Sequence, residues 1–193
     1  GVIGLNESYY AWIDEGFTTY ASALTMAHLF DKRKETALDR NYGGYFAIVR
    51  SGLEEPMNTH ADHLVTNYAY GTATYTKGAI SLAQLGYIIG QENLNIGLKR
   101  YYYEWGFKHP DLNDFIRVME KTSGLELDWY YEYWVNTTHT IDFGISEVQS
   151  NNDASTITIN RNGLIPMPLD VQVNLKSGEI LRYYIPLDLM RGE

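Results

Sequence analysis

At 193 residues the chain is long enough to bury a core, and 45% hydrophobic against 20% charged residues excludes a disordered composition. Fifteen Lys and Arg against 24 Asp and Glu leave a formal charge of −9, which argues against nucleic acid as a partner. Cysteine is absent, so disulfide scaffolds and thiolate chemistry are excluded, and no apolar run reaches the ~20 residues of a membrane-spanning helix.

In chain order, the first two thirds read as helix. Tyr10, Ile13, Phe17, Tyr20, Ala21, Leu24 and Leu29 keep helical spacing, with Asn6 or Ser8 as the cap. The charged run Asp31-Lys32-Arg33-Lys34-Glu35 marks a break before a second helix over 36–50. Residues 51–66 hold Gly52, Pro56, Asn58 and two histidines without periodicity, and are read as loop. A third helix is predicted over 71–89, ending at Gly90, and a fourth over 92–105. Asp111 or Asn113 caps a helix over 114–122 that Gly124 terminates, and Asp128 opens a short aromatic helix to Val135.

Beyond Asn136 the period changes to two. Ile157 and Ile159 alternate with Thr156, Thr158 and Asn160, and Val171, Val173 and Leu175 alternate with Gln172 and Asn174. Asn151-Asn152-Asp153 and Ser177-Gly178 are turn signals, and Pro166 and Pro168 sit at a strand entrance. About four strands are too few to close a sandwich. The boundary is placed at 140/141, giving a helical domain over 1–140 and the first strands of a β-domain over 141–193. The chain starts at Gly1 with no basic-then-apolar leader, so it carries no targeting segment to read and is expected to be a piece of a larger protein.

Two stretches carry candidate chemistry. Trp12-Ile13-Asp14-Glu15-Gly16-Phe17-Thr18-Thr19-Tyr20 sets a carboxylate on a helix beside bulky aromatics and a glycine that permits close approach. The same carboxylate also suits the positive end of a helix dipole, and spacing alone leaves both readings open. Tyr70-Gly71-Thr72-Ala73-Thr74-Tyr75-Thr76-Lys77-Gly78 places two phenols near a helix start, as cleft donors or as two more of the chain's 17 tyrosines in structural positions. A phenol with a pKa near ~10 keeps its proton at neutral pH. His60 and His63 are three apart, in a loop with no third ligand nearby.

Together the two stretches resemble the zinc-dependent aminopeptidases of the membrane-alanyl-aminopeptidase (gluzincin) family. There a helix carries H-E-x-x-H, and a downstream glutamate in a Trp-x-[Asn/Asp]-Glu-Gly-Phe context completes the zinc site. Trp12 to Phe17 matches that context, so the resemblance implies that Glu15 is the third zinc ligand. The family's Tyr-x-Lys-Gly is matched by Tyr75-Thr76-Lys77-Gly78, which implies that Tyr75 donates a hydrogen bond to the tetrahedral intermediate, with Tyr70 and Lys77 as supporting candidates.

Resemblance continues from Tyr102 through Gly124, through the aromatic stretch Trp129 to Trp134, and into the strands that follow Asn160. It implies an α+β fold: the helical C-terminal half of a thermolysin-like catalytic domain, then a truncated antiparallel β-sandwich. It implies Zn2+ as cofactor and a peptide as substrate. The chain departs from the family in lacking both metal histidines, the general-base glutamate and the Gly-x-Met-Glu-Asn motif, all of which would lie upstream. Alone, these residues are expected to hydrolyse nothing and to self-associate through the surface left bare. The alternative is a non-catalytic peptide-binding or scaffold module of the same fold.

Overall fold

Asn6 opens the first helix, its side chain accepting from the Ser8 N–H at 3.2 Å in a computed structural model that describes residues 2–30, 33, 36–151 and 154–189. The expected break at Asp31-Lys32-Arg33-Lys34-Glu35 and the Asn152-Asp153 part of the predicted turn lie outside the described residues, Arg33 excepted. The described residues divide into two units, one running up to Thr138 and one from His139 onward.

In the first unit α1 (Glu7–Leu29) is kinked at Tyr10, where φ is −127° and ψ 35°. Its buried positions Trp12, Ile13, Gly16, Tyr20 and Ala27 follow the helical period. The second helix, α2 (Asp39–Ser51), starts later than the spacing predicts, because residues 36–38 are taken up by a 3₁₀-like turn. The third predicted helix begins four residues earlier, as α3 (Asn67–Gly71), where the Thr66 hydroxyl caps it by accepting from the Ala69 N–H at 3.0 Å. A π-helical stretch over Thr72–Lys77 then leads directly into α4 (Gly78–Ile89).

Helix α4 is the hub of the unit. Gly78, Ala79, Ile80, Ser81, Leu82, Leu85, Gly86 and Ile89 are all buried, which is why its sequence is apolar nearly all round. α5 (Gln91–Trp105) packs against α6 (Leu112–Ser123), whose face of Leu112, Phe115, Ile116, Val118 and Met119 is buried. Of the two predicted caps Asp111 is the one used, in a reciprocal box with Asp114: each side chain accepts from the other's N–H, at 3.1 and 2.9 Å. Gly124, at φ 75°, ends α6 in the left-handed conformation that glycine adopts without a Cβ clash.

Phe17 of α1 meets Phe115 edge-on at 4.8 Å between ring centroids, and Tyr101 of α5 meets Phe115 at 5.3 Å, so three helices share one aromatic cluster. Such pairs add about 0.5–1.5 kcal/mol beyond the area they bury. α7 (Asp128–Asn136) buries Trp129, Tyr130, Trp134 and Val135, and the Tyr130 hydroxyl donates to the Ser81 carbonyl of α4.

Among its described residues the second unit is four strands in two separate antiparallel pairs, so the fold is α+β as the resemblance implies. β1 (Phe143–Ser150) pairs with β2 (Ser155–Arg161), with Ile145 opposite Ile159 and a bulge between Ile145 and Glu147. β3 (Leu169–Asn174) pairs with β4 (Ile180–Ile185), with Val171 opposite Tyr183. The alternation read from the sequence decides the inward faces: Ile157, Ile159, Val171, Val173, Leu181 and Ile185 line a shared groove of about 540 Å³. Between β2 and β3 the chain folds back on its own start, Asn162 N–H donating to the Asp142 carbonyl and Ile165 N–H to that of Thr140.

Candidate active site

Gly16 on α1 and Gly78 at the start of α4 face each other with no side chain between them. A Cβ on Gly16 would lie 2.7 Å from the Cα of Gly78 and 3.1 Å from the Thr74 carbonyl oxygen; one on Gly78 would lie 2.9 Å from the Cα of Gly16. The Cα distances are shorter than van der Waals contact, so the two backbones approach only because both residues are glycine. Glu15 precedes the first glycine and Tyr75 lies three residues before the second. This contact therefore holds the two candidate stretches against each other, although sixty residues separate them.

The result is a direct hydrogen bond: Tyr75 Oη donates to Glu15 Oε1 at 2.7 Å. Tyr75 is 40% exposed and Glu15 half-buried, so the pair is open to solvent on one side. The bond to Glu15 pushes the Tyr75 pKa up to about 12, with burial, the Glu15 charge, Tyr70 and Asp14 adding to it. The phenol is thus a proton-bearing donor throughout the neutral range.

Tyr75 belongs to the π-helical stretch, a widened turn that is uncommon in helices and recurs at functional sites. Within it Thr72, Ala73, Thr74 and Lys77 are buried while Tyr75 faces out. The Thr74 hydroxyl donates back to the Tyr70 carbonyl at 2.7 Å. Tyr70 therefore contributes its carbonyl to this stretch, and its half-buried phenol lies near enough to Tyr75 to add to that residue's raised pKa.

Lys77 points the other way. Only 1% exposed, its Nζ lies 2.7 Å from Glu54 Oε1 and donates at 3.1 Å to the Thr137 carbonyl, beneath the Tyr45 ring at 5.9 Å. Glu54 is itself 8% exposed. Burial pulls the Lys77 ammonium below the usual lysine range, and the Glu54 carboxylate opposes that pull. Sequence reasoning missed Glu54. The available signal was Lys77 itself: a lysine within an apolar helical pattern needs a buried carboxylate partner.

His60 caps a short 3₁₀ turn (Ala61–His63) of which His63 is the last residue. The His60 Nδ1 accepts from the Asp62 N–H at 3.2 Å, and the ring packs between Tyr9 at 4.7 Å and His63 at 5.0 Å. His109 Nδ1 lies 2.7 Å from the Gly4 carbonyl and ties the N-terminal segment to the α5–α6 loop.

A catalytic zinc takes three protein ligands and an open position. Among the described residues, the group of three carboxylate or histidine side chains close enough to share a cation is Glu120, Glu126 and Asp128, which does not include Glu15. Two of its members are engaged with the backbone, Glu120 accepting from Leu127 N–H at 2.9 Å and Glu126 from Asp128 N–H at 2.8 Å. By themselves, then, the described residues of this chain do not make a zinc site around Glu15. Glu15 offers one carboxylate to such a site.

The family profile described as the peptidase family M1 domain matches residues 5–134, more than half of the chain and inclusive of Glu15, Tyr75 and Lys77. The chain belongs to peptidase family M1. Aminopeptidase N of Streptomyces lividans is a relative of this M1 chain, 25% identical over 134 residues that cover 65% of the chain and 15% of that protein. The crystal structure of an M1 zinc metallopeptidase from Deinococcus radiodurans is similar at a TM-score of 0.56 and 18% identity, over 70% of this chain and 29% of that one. A mutant of that metallopeptidase, described as bound to a Tyr-Ser-Ala substrate, is similar at 0.55 over the same shares. At this identity the structures show the shared fold. The chain spans about a seventh of the length of the curated relative and under a third of the solved ones.

Proposed function

We propose that this M1 chain is part of a zinc-dependent aminopeptidase that removes N-terminal residues from peptides. Residues 1–140 are read as the C-terminal helical part of its catalytic domain and 141–193 as the first strands of a β-sandwich. The observation that carries the reading is the 2.7 Å hydrogen bond joining Tyr75 to Glu15, the two residues that the family pattern marks. Membership of the family and the relative named aminopeptidase N support it.

On this reading Glu15 is one ligand of a zinc centre whose remaining ligands are supplied from outside these 193 residues. Tyr75, whose hydroxyl donates to Glu15 in this structure, is on this reading the residue that turns its proton to the oxygen gaining negative charge as the scissile carbonyl becomes tetrahedral. Two properties suit the residue to this role. Its hydroxyl is partly exposed, and its backbone is fixed by the glycine contact. Preorganised donors of this kind stabilise developing charge without reorganising during the reaction. The peptide is the substrate class. Among the described residues no helix is long and apolar enough to cross a membrane.

The test uses the full-length protein, with amino-acid 4-nitroanilides as substrates and bound zinc measured by atomic emission. Glu15→Gln is expected to lose most of its zinc. Tyr75→Phe is expected to lower kcat about 10²–10³-fold while keeping its zinc, the usual loss when one such donor is removed. Zinc retained in full by Glu15→Gln, or unaltered turnover in Tyr75→Phe, defeats the corresponding assignment. A full-length protein that binds no zinc and cleaves no substrate favours the non-catalytic scaffold instead.

A further inference from the structure

The Lys77–Glu54 pair lies one turn of chain from the candidate donor; Lys77 enters the reading above only as a supporting candidate with no stated role, and Glu54 not at all. Lys77 is the last residue of the π-helical stretch, two residues beyond Tyr75. Its ammonium joins three separate pieces of the unit: the stretch itself, the loop after α2 through Glu54, and the end of α7 through the Thr137 carbonyl. The loop is fixed in turn. Glu55 accepts from the Val65 N–H at 2.9 Å, and Asn58 donates from its backbone to the Val135 carbonyl at 3.1 Å and from its side chain to Asn136 at 3.3 Å. Tyr45 of α2 packs over the ammonium, and Glu54 adds to burial in raising the pKa of that phenol.

A buried ion pair is a weak source of net stability, because desolvating two charges costs about what their attraction returns; well-packed apolar residues often do as well. What the charges add here is direction. An apolar side chain at position 77 fills the same space in several rotations of the helix, whereas an ammonium with Glu54 and Thr137 as acceptors is satisfied in one.

Direction matters at this place because a π-helical turn competes with the ordinary α-helical turn. The two differ by one residue of register, and a one-residue slip rotates side chains by ~100° about the helix axis. Gly78 is held against Gly16 from the C-terminal side. A slip of the stretch before it therefore carries Tyr75 away from Glu15.

We infer that Glu54 and Lys77 are positioning residues for Tyr75, locking the π-helical register that presents its hydroxyl at Glu15. The inference rests on the reading of Tyr75 as the donor used in turnover, and the experiment separates the two.

In the full-length protein, Lys77→Met is made alone and on a Tyr75→Phe background, and kcat, KM and zinc content are measured for each. The expected result is a fall in kcat of about tenfold or more in the first, with KM and zinc within about twofold. On the Tyr75→Phe background the same substitution is expected to change kcat by less than about twofold, since what Lys77 orients is already gone. Provided Tyr75→Phe itself lowers turnover, an equal loss on both backgrounds, or no loss on either, overturns the proposal. Where Lys77→Met fails to fold, Glu54→Gln is carried through the same cycle with the same criteria. A 19F label at position 75, introduced as 3-fluorotyrosine, reads position apart from turnover. A shifted or second signal in Lys77→Met is expected, and an unchanged signal overturns the proposal whatever the kinetics. Unaltered turnover in Tyr75→Phe together with a shifted signal overturns only the role given to Tyr75.

Discussion

In the helical unit α4 is enclosed on nearly every side, while in the strand unit none of the residues of β1 to β4 is fully buried. The two patterns match their sequences. α4 is apolar almost throughout because helices surround it, and β2 and β3 alternate because only one of their faces is covered. Contrast between the units also lies in how polar groups are used. The helical unit contains a buried ion pair and a reciprocal cap, each with its partners in place. In the strand unit, two-stranded sheets share an apolar groove, a form of β-structure that is marginal in isolation. Stability of the chain should accordingly be concentrated before Thr138.

Three substitutions probe that contrast in the 193-residue chain, each read from the urea dependence of amide hydrogen exchange in the unit that carries it. Phe115→Ala removes the ring shared by α1, α5 and α6 and is expected to cost about 3–5 kcal/mol. Gly16→Ala pushes a methyl into the backbone of Gly78 and is expected to cost about 1–3 kcal/mol. Val173→Ala trims the half-covered groove and is expected to cost less than about 1 kcal/mol. A loss from Val173→Ala equal to that from Phe115→Ala would erase the distinction between the units, and an unaffected Gly16→Ala would mean that the helices separate freely at their closest point.

Much of the fold is legible in the residues themselves. Helical spacing marks the body of α1, Gly90 and Gly124 mark helix ends, and the Ile157–Ile159 and Val171–Val173 alternations mark inward strand faces. What escapes local reading has a nonlocal cause. The π-helical stretch is hidden because Thr72 to Lys77 would sit equally well in an ordinary helix; the glycine contact and the buried ammonium act on it from elsewhere in the unit. The kink at Tyr10 carries no proline or glycine to announce it. The start of α3 is obscured for a different reason, since Thr66 ends a loop rich in turn residues and reads as part of it. At the candidate site, Glu15 and Tyr75 stand out by family pattern, and the structure brings them together. Glu54 carries no motif and becomes visible only when the partner of Lys77 is sought in space.

The facing glycines have a consequence for anyone who sets out to diversify this site. A steric conflict between two side chains can ordinarily be relieved by shrinking one when the other grows. At Gly16 and Gly78 that route is closed, because each partner is already as small as an amino acid can be. A library that randomises either position should be depleted of every side chain larger than alanine, and no second change at the opposite glycine can rescue them. Variation is better spent on the exposed neighbours of Tyr75, with residues 15–16 and 75–78 carried forward as one indivisible block.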